Sequence, residues 1–148
     1  MKYVLLIGRI LFSAIFLMTI ASHFSAQTAA YASSKGVPMA SILVPLSGII
    51  ATLGAISLML GYKARLGAWL IALFLIPVTL YMHAFWTVSD PMQMQMQMTN
   101  FMKNMSLLGS AFMIAYFGAG PLSLDSRISH DTTAEEITEK EQPHKHAA

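Results

Sequence analysis

Residues 38–86 read PMASILVPLSGIIATLGAISLMLGYKARLGAWLIALFLIPVTLYMHAFW, and this stretch decides the fold. It holds two apolar runs, 38–60 and 66–86. Each is about as long as the roughly 20 residues that a helix needs to cross a hydrocarbon layer of about 30 Å. Gly61 closes the first run, and Gly61-Tyr62-Lys63-Ala64-Arg65 leaves room only for a tight turn. The two runs are therefore expected to be antiparallel neighbours in a membrane.

Two further spans flank this pair. The first covers about 3–22 and is interrupted only by Arg9. Its start could pass for a signal peptide, with Lys2 as the basic end and Ser22 to Ala26 as a small-residue cleavage zone. Arg9, however, stands where the uncharged core of such a signal belongs, so a retained helix is the better reading. A polar connector from His23 to Lys35 follows and is broken by Gly36-Val37-Pro38, where Gly36 suits a helix C-cap and Pro38 a first helical turn. Beyond Trp86, a loop over 87–99 leads to the last span, about 100–117, which Gly118-Ala119-Gly120-Pro121 terminates. Small residues recur at spacing four (Gly48/Thr52, Ala51/Ala55, Ala68/Ala72, Ser106/Ser110, Ala111/Ala115), which permits close helix contact in lipid. The expected fold is an all-α membrane protein, a compact bundle of four transmembrane helices over residues 1–124. A disordered, acidic cytoplasmic tail is expected over 125–148.

Composition supports this. Of 148 residues, 55% are hydrophobic and 11% charged, and the mean hydropathy is +0.58, a balance foreign to a soluble domain. Cysteine is absent, which excludes disulfide scaffolds, zinc–thiolate sites and cysteine-held iron–sulfur clusters. No basic stripe interleaved with aromatics is present, so nucleic acid is not an expected partner. With the N-terminus inside, Lys2, Lys63, Arg65 and Arg127 fall on the cytoplasmic side and Lys35 and Lys103 outside. That bias predicts a multi-pass protein of a bacterial inner membrane with both termini cytoplasmic.

Polar residues inside the spans mark candidate chemistry, because ionisable groups at membrane depth are costly. His23 ends the first span, His83 lies near the end of the third, and Asn100, Lys103 and Asn104 open the fourth. An up-down-up-down path brings all five to the outer leaflet. Asn100, Lys103 and Asn104 share one helical face, and Thr79, His83 and Trp86 line another. Pro45 and Pro77 each remove a backbone hydrogen bond in the outer half, and their kinks could splay the bundle into a pocket. A neutral imidazole with amide and ammonium donors suits the carbonyls of a quinone ring or another small polar head group. Capping and snorkelling to the interface are the bland alternative. Haem ligation is disfavoured, because His23 and His83 sit at span ends.

Arg9 shares a face with Ser13, Phe16, Ile20 and His23. Asp125, on the same predicted side, is its expected partner in a structural ion pair. The run Pro91-Met92-Gln93-Met94-Gln95-Met96-Gln97-Met98 offers thioethers, which favour Cu(I). On a helix, however, Met92/Met96 and Met94/Met98 form separate pairs, and only a strand would align all four. A lid or docking surface is therefore favoured over a copper site there.

Several blocks resemble the DoxX family of small bacterial membrane proteins. These are Leu6-Ile7-Gly8-Arg9-Ile10-Leu11-Phe12, Ala29 to Pro38, Leu58 to Arg65, His83-Ala84-Phe85-Trp86, Met102 to Gly109, and Gly120 to Asp125. The resemblance implies four transmembrane helices and redox-associated roles, since relatives include membrane subunits of thiosulfate:quinone oxidoreductase and of an oxidative-stress complex. The chain departs from it in carrying Ser22-His23-Phe24 where relatives often have Lys, and no acid over Gly48 to Thr52. On this basis the expected function is a quinone-linked, redox-associated subunit, with His23, His83, Asn100, Lys103 and Asn104 as its head-group site. The competing expectation is a non-enzymatic scaffold recruiting partners, among them a redox complex or a second copy, through the Met-rich loop and tail. Transport ranks third, for want of an intramembrane acid.

Overall fold

The computed structural model describes residues 2–130, and all their regular structure is helical. In chain order the elements are α1 (Lys2–Met18), α2 (Ile20–His23), α3 (Ala26–Ser34), α4 (Ala40–Leu60), α5 (Ala64–Met82), a 3-10 turn (Phe85–Thr87) and α6 (Pro91–Phe117). Residues 124–130 are helical as well. Three stretches, Lys2–His23, Ala40–Leu60 and Ala64–Thr87, are long and apolar enough to cross a membrane. The fourth long helix, α6, has 27 residues and so extends about 40 Å at 1.5 Å per residue.

The long helices pack in chain order, α1 on α4, α4 on α5, and α5 on α6. Small residues set the spacing. Gly54 and Gly67 bring α4 and α5 so close that a Cβ on Gly54 would lie 2.9 Å from the Gly67 carbonyl oxygen. Around this crossing Ala55, Leu58, Ala64, Ala68, Ile71 and Ala111 are wholly buried. Ile42, Leu53, Leu73 and Leu80 point outward and stay exposed, as expected of faces that meet acyl chains. The bundle thus has an arginine end, where the α4–α5 turn and residues 118–125 meet Arg9, and a histidine end that carries His23 and His83.

Boundaries differ from the sequence expectation in four places. The connector after His23 is not all loop, since α3 forms within it, started by the Ser25 hydroxyl accepting from the Thr28 amide at 3.1 Å. The expected loop over 87–99 is mostly helix. Asp90 caps α6 by accepting from the Gln93 amide at 2.8 Å, and Pro91 occupies the first turn, where its missing amide costs nothing. Within the third span, whose apolar stretch runs Ala64–Thr87, the α-helix itself stops at Met82 and a 3-10 turn over Phe85–Thr87 completes it. Trp86 joins Phe85 and Phe101 in an edge-to-face cluster at the α5–α6 corner, with centroids 5.1 to 5.8 Å apart. Finally, residues 125–130 of the expected tail are helical, and 131–148 lie outside the described residues.

Candidate functional site

The five polar residues expected at one leaflet all lie at the histidine end, but they divide into two groups. His23 follows a break in the first span at Thr19, and its ring Nδ1–H donates to the Thr19 carbonyl at 2.9 Å. Its ring packs 5.6 Å from that of Phe74, over Gly48, where a Cβ would come within 2.5 Å of the His23 Cβ. His23 is thereby seated on α4 and α5 from the α1 side.

The other four residues sit where α5 meets α6. His83 Nδ1 donates to the Gln97 side-chain oxygen at 2.8 Å. Lys103 donates to Asn100 Oδ1 at 3.3 Å, leaning toward the helix N-terminus as helical side chains do. Asn104 is only 6% exposed, and its amide makes no hydrogen bond among the described residues, although the fully buried unpaired side-chain atoms among them are Arg9 Nε, Arg9 Nη1 and Ser13 Oγ. The His83–Gln97 bond and the Trp69–Phe112 ring contact set an antiparallel register that places Asn104 level with residues 75–77 of α5. Thr79, 4% exposed, lies about one turn nearer the histidine end. No described contact joins His23 to these four. Gln97 was missed from the sequence because it falls in the run read as a loop. The Asp90-Pro91 helix start just before it is the signal that could have found it.

At the arginine end, Arg9 is 4% exposed and its Nη2 donates to the Leu122 carbonyl. Asp125 accepts from the Lys63 and Ala64 amides at 2.7 and 3.0 Å, which caps α5. The two charges lie within electrostatic reach of one another, but their described hydrogen bonds go to backbone groups. The Arg9 guanidinium also packs against Gly61, whose φ of +67° and lack of a Cβ are both needed there.

The methionine run lies on the first turns of α6, with Met92 83% exposed and Met94, Met96 and Met98 also open. Because Gln97 is level with the end of α5, residues 91–96 project beyond it by about 9 Å. A helix splits these thioethers into Met92/Met96 and Met94/Met98, so the four do not converge on one ion.

Residues 1–129 match the profile of the SURF4 family. The chain belongs to the SURF4 family. The inner membrane protein YphA of Escherichia coli (strain K12) is 30% identical over 100 residues, covering 68% of this chain and 71% of that protein. No solved structure matches.

Membership of the SURF4 family corrects the DoxX resemblance. The blocks that carried it sit largely at span boundaries, where cap glycines, prolines and flanking bases are demanded of any bundle of short-looped membrane helices. The quinone-linked redox function falls with it, because it leaned on DoxX relatives, and neither the SURF4 description nor that of YphA names a redox role. The scaffold expectation changes in kind as well, since its Met-rich loop is a helix.

Proposed function

We propose that this SURF4-family chain is a multi-pass inner-membrane protein that holds the polar head of a membrane-soluble molecule between α5 and α6, with both termini cytoplasmic. The carrying observation is Asn104, a residue 6% exposed whose amide makes no hydrogen bond among the described residues. A ligand that both donates and accepts hydrogen bonds would supply that amide with partners, each neutral bond being worth about 0.5–1.5 kcal/mol. The neighbouring polar groups are already engaged, His83 with Gln97 and Asn100 with Lys103, so they frame the position. Lys103, the residue before Asn104, adds a positive charge nearby. The inner-membrane placement draws on the likeness to YphA. The orientation draws on Lys2, Lys63, Arg65 and Arg127 lying at the arginine end.

The test is mass spectrometry of ligands retained by the intact protein in mild detergent, comparing wild type with Asn104→Leu. Leucine keeps the volume and removes both hydrogen-bonding groups. A ligand present in wild type and lost in the variant is the expected result. The same ligand carried equally by both proteins would sink the reading.

A further inference from the structure

At the histidine end, α3 and the first turns of α4 enclose an open cleft of about 660 Å³, a volume typical of small-molecule sites, which run from roughly 300 to 1,000 Å³. Phe24, Ala29 and Met39 supply apolar walls, and Ser33, Ser41 and Pro45 line the cleft with them. None of its lining residues is charged, so an ion would lose its hydration there with nothing to replace it.

Its polar groups are serine hydroxyls and one backbone carbonyl that has lost its helical partner. Pro45 lies inside α4 and has no N–H, so the carbonyl of Ser41, four residues earlier, loses the amide that would have bonded it. Both Ser41 and Pro45 face the cleft. The hydroxyls of nearby Ser34 and Ser47 turn back onto backbone carbonyls at 2.7 Å. Those of Ser33 and Ser41 have no such bond among the described residues. A backbone carbonyl can only accept, so the group that satisfies it must donate. Ile42, Leu46 and Ile49 form an exposed apolar stripe on the same helix, adjacent by the helical period to the face that carries Ser41 and Pro45, along which a hydrocarbon tail can lie.

We infer that the α3–α4 cleft binds an uncharged amphiphile with a hydroxyl head, its O–H donating to the Ser41 carbonyl freed by Pro45 and its chain running along α4. This site is separate from Asn104 and does not depend on it.

The probe is monoolein, titrated against the full chain in dimethylamine-oxide detergent, which brings no competing hydroxyl. Methyl oleate, with the same chain and no hydroxyl, is the comparison. Monoolein is expected to bind more tightly than methyl oleate. Pro45→Ala restores the helical amide to Ser41 and should weaken monoolein about fivefold, the worth of one neutral hydrogen bond, without harming the helix. Ala29→Trp should fill the cleft and abolish binding, with an unchanged unfolding temperature as its folding control. Asn104→Leu should leave monoolein affinity as it is. Equal affinity for the two probes, an unaltered affinity in Pro45→Ala, or loss of monoolein in Asn104→Leu would each overturn the assignment.

Discussion

Gly54 is the position where one added carbon should do most damage. A Cβ there would lie 2.9 Å from the Gly67 carbonyl oxygen and 3.0 and 3.1 Å from two carbons of Ile71. The carbonyl belongs to the α5 backbone and cannot rotate away. To reach an ordinary contact α4 and α5 must part by about half an ångström, which loosens the buried Ala51, Ala55, Leu58 and Ala68 together. Gly54→Val adds two methyls beyond that Cβ. Overpacking of this kind costs about 1–3 kcal/mol, and better helix propensity returns about 0.4, leaving a loss of about 2 kcal/mol. For a chain of this size that lowers the unfolding midpoint by about 4–8 °C. Gly109→Val is the matched control, because a Cβ there meets nothing within 4 Å, and it should fall within about 0.5 kcal/mol of wild type. Thermal unfolding of the purified protein in one detergent, followed by circular dichroism, measures both. Equal shifts in the two variants would refute the claim that the Gly54–Gly67 approach sets the α4–α5 spacing.

Asp125→Ala should strip both acceptors from the Lys63 and Ala64 amides, at a cost of about 1–3 kcal/mol. Faster tryptic cleavage after Lys63 would reveal it, with Asp125→Asn, which keeps one carbonyl oxygen, falling between. Asn104→Leu, measured without ligand, should hold stability level or raise it by up to about 1 kcal/mol, since it replaces a mostly buried amide that makes no described hydrogen bond with an apolar side chain of similar volume; a lowered unfolding midpoint would show that Asn104 has a structural partner. Because the chain contains no cysteine, single-cysteine variants report topology directly. Met92→Cys should react with an impermeant maleimide added to intact cells, and Tyr62→Cys only after permeabilisation. The opposite pattern would reverse the proposed orientation.

The spans were legible because the features that bound a membrane helix are chemical and local. Gly61 supplies the left-handed cap, and Pro38 and the Gly118–Pro121 run punctuate the ends. The Met-rich run was not legible for an instructive reason. Its alternation of Met and Gln has a period of two, which matches no helix face, and it drew attention from Asp90-Pro91, the helix start that governs the segment. Once a carboxylate caps the Gln93 amide and proline occupies the first turn, nothing in 92–99 interrupts a helix, and the alternation merely describes an exposed surface. The site was half legible. Asn104 stands out as an amide in an apolar span, but the separation of His23 from His83 follows from the lateral order of the helices. Up-and-down alternation fixes which end a residue occupies and says nothing of its neighbours. Arg9 and Asp125 show the same limit in another form. Pairing opposite charges at one end of the bundle draws a bond between two side chains, whereas helix ends leave backbone carbonyls and amides free that no composition reveals. Leu122 and the Lys63 and Ala64 amides are such groups, and they take the hydrogen bonds of both residues.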